Sequence, residues 1–211
     1  MGQPQLNWIA NFIWGIADDV LRDLYVRGKY RDVILPMTVL RRFDSLLEPT
    51  KPAVLAMKAS LDKAGIVHQD AALRQAAGQP FYNTSPFILR DLSARASQQQ
   101  LKADFEAYLD GFSPNVQEIL ENFEFRNQIP RLSKADALGT LIEKLLSPDI
   151  NLSPNPVLNS DGSVRHPALD NHAMGTIFEE LVRRFNEENN EEAGEHWTPR
   201  DAVKLMARLI F

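Results

Sequence analysis

Cysteine is absent from the 211 residues. That excludes a disulfide framework, a thiolate metal site, an iron–sulfur cluster and a cysteine nucleophile. Long apolar runs are missing too: nothing approaches the roughly 18 apolar residues of a membrane-spanning helix, so no membrane segment is expected. The start, Met1-Gly2-Gln3-Pro4-Gln5, lacks the basic cluster and apolar run of a signal peptide, and a cytoplasmic location is expected. The glycine patterns that cradle phosphates or present a serine nucleophile, Gly-x-Gly-x-x-Gly, the P-loop and Gly-x-Ser-x-Gly, do not occur. His68, His166, His172 and His196 include no i, i+4 pair and no His-Glu-x-x-His, so no metal site is expected. The net charge of −5 argues against a generic, charge-driven coat for nucleic acid, while leaving room for one basic face.

What is present reads as helices. Ile9, Ile13, Ile16, Val20 and Leu24 recur at steps of three and four, and Trp8 and Phe12 widen that face, which predicts a helix over 7–27. Asn7 is its expected N-cap and Gly28 its expected stop. Asp32 is expected to cap a second helix through Val33, Met37, Leu40, Phe43 and Leu47, with Pro36 in or near the first turn, where a missing N–H costs least. Further helices are expected from Thr50-Pro52 to Gly65, over Asp70–Ala77 to Gly78, and around Leu101, Phe105, Tyr108 and Leu109 to Gly111. Ser85-Pro86 and Ser113-Pro114 each read as an N-cap followed by proline at the first helical position. Ser133-Lys134-Ala135-Asp136 reads as a near capping box opening a leucine-rich helix over 138–146.

The helical pattern breaks over 147–169, which holds Pro148, Pro154, Pro156, Pro167 and the turn pair Asp161-Gly162. This is the best candidate for a boundary or long loop. Val157–Leu158 and Val164–Arg165 flank the turn as a possible small hairpin. Met174, Ile177, Phe178, Leu181, Val182 and Phe185 then define another helix, followed by a glutamate-rich stretch and a helix start at Thr198-Pro199-Arg200-Asp201. The chain is still apolar at Phe211, which points to a longer parent.

Charge is uneven. Residues 20–42 carry six basic side chains, among them Arg31, Arg41 and Arg42, against two acidic ones, a net +4, with Tyr25 and Tyr30 interleaved. The functional reading is an edge that contacts DNA phosphates through Arg31, Arg41 and Arg42. The plain alternative is two helices with solvated faces.

The run Met174-Gly175-Thr176-Ile177-Phe178-Glu179-Glu180-Leu181, followed by Gly194-Glu195-His196-Trp197-Thr198-Pro199-Arg200, resembles the methylation subunit of type I restriction–modification systems, a DNA adenine methyltransferase. Tyr30–Pro36 with Leu40-Arg41-Arg42, and Ser113–Phe125 with the helix at 138–146, resemble that family's N-terminal helical domain. The resemblance implies a mainly α fold: a multi-helix N-terminal domain, 1–165, then the leading helices of a truncated α/β, Rossmann-like methyltransferase domain, 166–211. It implies S-adenosylmethionine as cofactor, contacted by Glu195, His196, Trp197, Thr198, Pro199 and Arg200, with His196 standing where the family usually has an aromatic ring. It implies double-stranded DNA, a specificity subunit and a restriction subunit as partners. The Asn-Pro-Pro-aromatic motif that would hold a flipped adenine is absent, so no catalytic residue is expected within these residues and the piece alone should be inactive. The competing expectation is a non-enzymatic helical protein–protein interaction module. A helix-turn-helix DNA binder is weaker, because no short helix pair has a clearly basic second member.

Overall fold

A computed structural model describes residues 2–95 and 97–188. The elements are α1 (Gln3–Leu21), α2 (Arg31–Leu47), α3 (Lys51–Lys63), α4 (Asp70–Ala77), α5 (Leu89–Ser93), α6 (Gln98–Asp110), α7 (Pro114–Asn122), α8 (Ile129–Lys134), α9 (Ala137–Leu145), β1 (Val157–Leu158), β2 (Val164–His166) and α10 (Asn171–Glu188). The chain is mainly α, as expected, and β1 and β2 form a small antiparallel hairpin. The Asp161-Gly162 turn closes it, with Gly162 at φ 82°, a backbone region glycine enters without strain.

One apolar core runs through the bundle. α1 lies against α9 and α10, α2 against α10, and α5 against α9. Ile13, Leu21, Val33, Ile34, Met37, Leu40, Leu138, Leu141, Ile177, Leu181 and Phe185 are fully enclosed. Each such aliphatic side chain contributes about 1.5–3 kcal/mol on leaving water. Trp14 on α1 packs its ring 4.8 Å from that of Phe185 on α10. The helix bearing the Gly-Thr-Ile-Phe-Glu motif therefore shares its core with the first helix of the chain.

Several helix boundaries differ from expectation, each for a local reason. α1 begins at Gln3 rather than Asn7, because Pro4 fits the first turn and Leu6 is buried, adding a turn to the apolar face. It ends at Leu21, where Leu24 and Tyr25 both donate to the Leu21 carbonyl at 3.0 and 2.9 Å. Arg131 then donates to the Leu24 carbonyl and lies over the Tyr25 ring at 4.4 Å, so α8 holds the chain where a helix would otherwise continue. α2 begins at Arg31, placing Pro36 inside the helix and leaving the Asp32 carbonyl without its usual donor.

Ser85-Pro86 opens no helix; the next begins at Leu89. The Ser85 N–H and hydroxyl both donate to Asn83 Oδ1, at 2.9 and 2.7 Å, so the serine serves a tertiary contact instead of a cap. The capping box at Ser133 also fails to form. Ser133 belongs to α8, and α9 starts only after Asp136, which sits at φ 56°. By contrast the hairpin, α4 with Gly78 at φ 63°, α6 and α7 form where expected.

Candidate functional site

The chemistry-bearing residues of the described chain gather on and around α2. Its buried stripe runs Val33, Met37, Leu40, Asp44, Leu47, and the same phase continues to Lys51. A carboxylate and an ammonium thus occupy core positions. Polar groups there are costly unless hydrogen-bonded. Asp44 Oδ1 accepts from the Leu89 backbone N–H at 3.0 Å and from the Tyr108 hydroxyl at 3.2 Å. Burial still pushes the Asp44 carboxyl above the usual carboxylate range and the Tyr108 hydroxyl well above an ordinary tyrosine.

Lys51 Nζ donates to Asn83 Oδ1 at 2.8 Å, to the Asn83 carbonyl at 3.2 Å and to Ser85 Oγ at 3.4 Å. Burial lowers its pKa to about 8. Asn83 in turn donates to the Tyr108 carbonyl at 2.8 Å. Gly111 makes this cluster possible: a Cβ there would stand 2.5 Å from the Ser85 nitrogen and 2.7 Å from Asn83 Oδ1.

The three arginines expected to meet DNA sit in three different environments. Arg31 has a side chain 36% exposed, with its Nε 3.7 Å from Asp32. Arg41 has a side chain 14% exposed and lies 3.8 Å from Asp44, while its Nε and Nη1 are shut off from solvent without a hydrogen-bond acceptor. Arg42 is 5% exposed. Its Nη1 donates to the carbonyls of Leu152 at 2.7 Å and Leu169 at 2.9 Å, and its Nη2 to Asn171 Oδ1 at 2.9 Å. Arg42 thus binds both ends of the 152–169 loop to α2, and these three acceptors occupy its head group.

The rest of the basic stretch lies nearer the surface and is paired. Arg22 and Arg27 share Asp18 at 2.5 and 3.5 Å, and Lys29 lies 3.4 Å from Asp32. The hydrogen bond from Arg22 holds the Asp18 carboxyl below its ordinary range. Tyr25 and Tyr30 are buried, so these rings are core packing rather than open stacking platforms.

On α10 the motif divides by face. Ile177 and Leu181 are buried, while Glu180 accepts from Arg183 at 2.7 Å and from Arg184 at 3.0 Å. The hydrogen bond from Arg183 is the main reason the Glu180 carboxyl is lowered, and Glu180 raises Arg183 in return. Val39, Phe43, Met174 and Phe178 line a largely apolar groove of about 400 Å³ between α2 and α10. The expected cofactor contacts, Glu195 to Arg200, lie outside the described residues.

The buried polar network leaves a trace in the sequence. Asp44 and Lys51 fall in phase with the apolar stripe 33–37–40–47, and a charge in that phase signals an internal partner. The partners themselves, Leu89 and Tyr108 for Asp44 and Asn83 and Ser85 for Lys51, carry no such signal.

In comparison with protein families, residues 9–145 match the HsdM N-terminal domain and residues 169–210 match N-6 DNA Methylase. No curated protein and no solved structure matches the chain.

Proposed function

This chain belongs to the HsdM N-terminal domain family and carries part of an N-6 DNA methylase region, the pairing of a type I methylation subunit; from that premise we propose that its parent transfers a methyl group from S-adenosylmethionine to the exocyclic amine of adenine in double-stranded DNA. The observation that carries this reading is the order of the two matched regions, with the Phe178-Glu179 helix and the Thr198-Pro199-Arg200 element both falling in the second. A purely structural interaction module accounts for the first region and leaves the second without a role.

In this reading the chain consists of a helical domain, 1–165, and the start of the methyltransferase domain, 166–211. In it, Glu195, His196, Trp197, Thr198, Pro199 and Arg200 contact the cofactor. A helix beginning at Pro199 would offer unpaired N–H groups to the methionine carboxylate, and Trp197 an apolar face. Methyl donation is the cofactor's chemistry. The described residues supply the frame: Arg42 ties the loop ahead of α10 to α2, and the cofactor element follows α10 in the sequence.

Specificity and restriction subunits are the proposed protein partners, and the cytoplasm the proposed location. No helix among the described residues is long and apolar enough to cross a membrane. DNA backbone contact is proposed along the edge that holds Arg31; Arg42, engaged by three internal acceptors, and the mostly buried Arg41 are not on that edge. The partly exposed side chain of Arg31 and the exposed Arg22, Arg27 and Lys29 nearby in sequence support that edge.

The test assembles the full protein with its specificity partner and supplies duplex DNA and methyl-labelled S-adenosylmethionine. The expected result is label on adenine. No label in DNA, or label on cytosine, overturns the reading. In the same complex Arg31→Ala is expected to weaken DNA binding and to flatten its dependence on salt by about one unit of slope; an unchanged slope removes Arg31 from the interface.

A further inference from the structure

A second cavity, of about 320 Å³, opens between the C-terminal end of α2 and the loop that follows α9. Arg41, Ser45, Glu48, Arg90, Asn151 and Ser153 are among its lining residues. Its charge is out of balance in a specific way. The Arg41 side chain is mostly buried, yet Nε and Nη1 have no acceptor and the acidic group it pairs with, Asp44, is 3.8 Å away. Asp44 already accepts from Leu89 and Tyr108, and its burial disfavours the charged form. A guanidinium taken from water without a full counter-charge or acceptor set is expensive. The neighbouring Arg42 shows what a satisfied one looks like here, with three acceptors within 2.9 Å.

The other walls supply donors. Arg90 stands at the mouth, 69% exposed, and its partner Glu48 is 3.1 Å away. Ser153 Oγ accepts from the Asn155 N–H at 3.1 Å, which leaves its own hydrogen to give. Asn151 and Ser45 are occupied internally: Asn151 donates to the carbonyls of Asn155 and Pro167, and Ser45 to those of Arg42 and Leu152. They hold the wall in place.

We propose that this cavity is a phosphate-binding site, with Arg41 as its buried cation and Arg90 and Ser153 as donors at its mouth. Phosphate fits better than a carboxylate because the donors come from three separate segments, and its oxygens spread in as many directions. Glu48 opposes binding, since an incoming anion competes with it for Arg90. The bound group bridges α2 to the 147–157 loop, and so to the segment that leads to α10. The phosphate comes either from the DNA backbone, in which case the site deepens the DNA-facing part of the proposed function, or from a small free phosphate compound.

The experiment titrates the 211-residue chain with inorganic phosphate in a calorimeter at low chloride. One saturable site is expected. Arg41→Met should weaken it by about tenfold or more, the loss expected for a charge-assisted hydrogen bond, and Arg90→Met by a smaller factor. Glu48→Gln should tighten it by freeing Arg90, a gain that loss of folding cannot imitate. Because Arg41→Met disturbs a buried group, Arg90→Met and Glu48→Gln decide the matter if it fails to fold. No saturable binding, or binding that neither rim variant changes, overturns the proposal. A short duplex added to the phosphate-loaded chain then separates the sources: displacement assigns the site to DNA backbone, and persistence assigns it to a free phosphate compound. The phosphate titration involves no methyl transfer and no partner subunit, so its failure is distinct from failure of the proposed enzyme function.

Discussion

The stretch 18–32 and the stretch 38–51 both carry alternating charge, and the fold uses them in opposite ways. In the first, Arg22, Arg27 and Lys29 are more than half exposed and form ion pairs with Asp18 and Asp32. Such pairs contribute little, because water and salt screen them and ordering long side chains costs entropy. In the second, Arg42, Asp44 and Lys51 are buried and their partners lie far away in sequence, at Leu169, Tyr108 and Asn83. Removing one side of such a contact leaves the other without water or partner, so the loss is large. A count of charges along the chain treats the two stretches alike; their desolvation separates them.

Exchanging single residues between these two situations breaks or sharpens the contrast. Arg42→Met should cost about 3 kcal/mol in urea unfolding, since the carbonyls of Leu152 and Leu169 and the side chain of Asn171 lose their donor. Arg22→Met should leave the unfolding midpoint within measurement scatter. Equal effects from the two would end the comparison.

Gly111→Ala tests the buried side from its backbone. The new Cβ would press on the Ser85 nitrogen at 2.5 Å, and a loss of about 2 kcal/mol is expected from the overpacking. A stable variant would mean that the Asn83–Ser85 cluster yields easily.

The smallest effect concerns pH. Burial brings Lys51 to about 8 in the folded protein, against the ordinary lysine value of 10.5 in the unfolded chain. Between those values the unfolded chain binds the extra proton, so stability rises with pH above about 8; on lowering the pH that gain is lost by about 8, below which Lys51 gives no further pH dependence. The rise should reach about 1–2 kcal/mol by pH 10, above which the buried tyrosines reverse it. In Lys51→Met the rise should vanish while unfolding at pH 7 remains cooperative. A flat profile in the original chain would mean that Nζ is better solvated than its burial implies.

Much of the fold was legible. α4, α6, α7 and the hairpin follow from spacing, proline position and glycine stops, all of them local rules. Ser85-Pro86 and Ser133 obeyed the same rules and did not start helices, because Asn83 in one case and the continuation of α8 in the other took the groups a cap would use. The basic segment was visible as a composition, but which arginines face solvent was not. Arg41 and Arg42 are adjacent, and neighbours on a helix point about 100° apart, so each met a different environment.

The amino-acid order alone determined that the chain is helical, where most helices lie, that 147–169 interrupts them, and which family it belongs to, because periodicity and motif are properties of neighbouring residues. Only the tertiary structure decided that Arg42 staples the interrupting loop to α2, that Asp44 and Lys51 are internal, and that Arg41 lines a cavity with two of its nitrogens lacking an acceptor. Those outcomes depend on which distant carbonyls and hydroxyls arrive beside a side chain, and it is this arrival that determines whether a charge stays in water or leaves it.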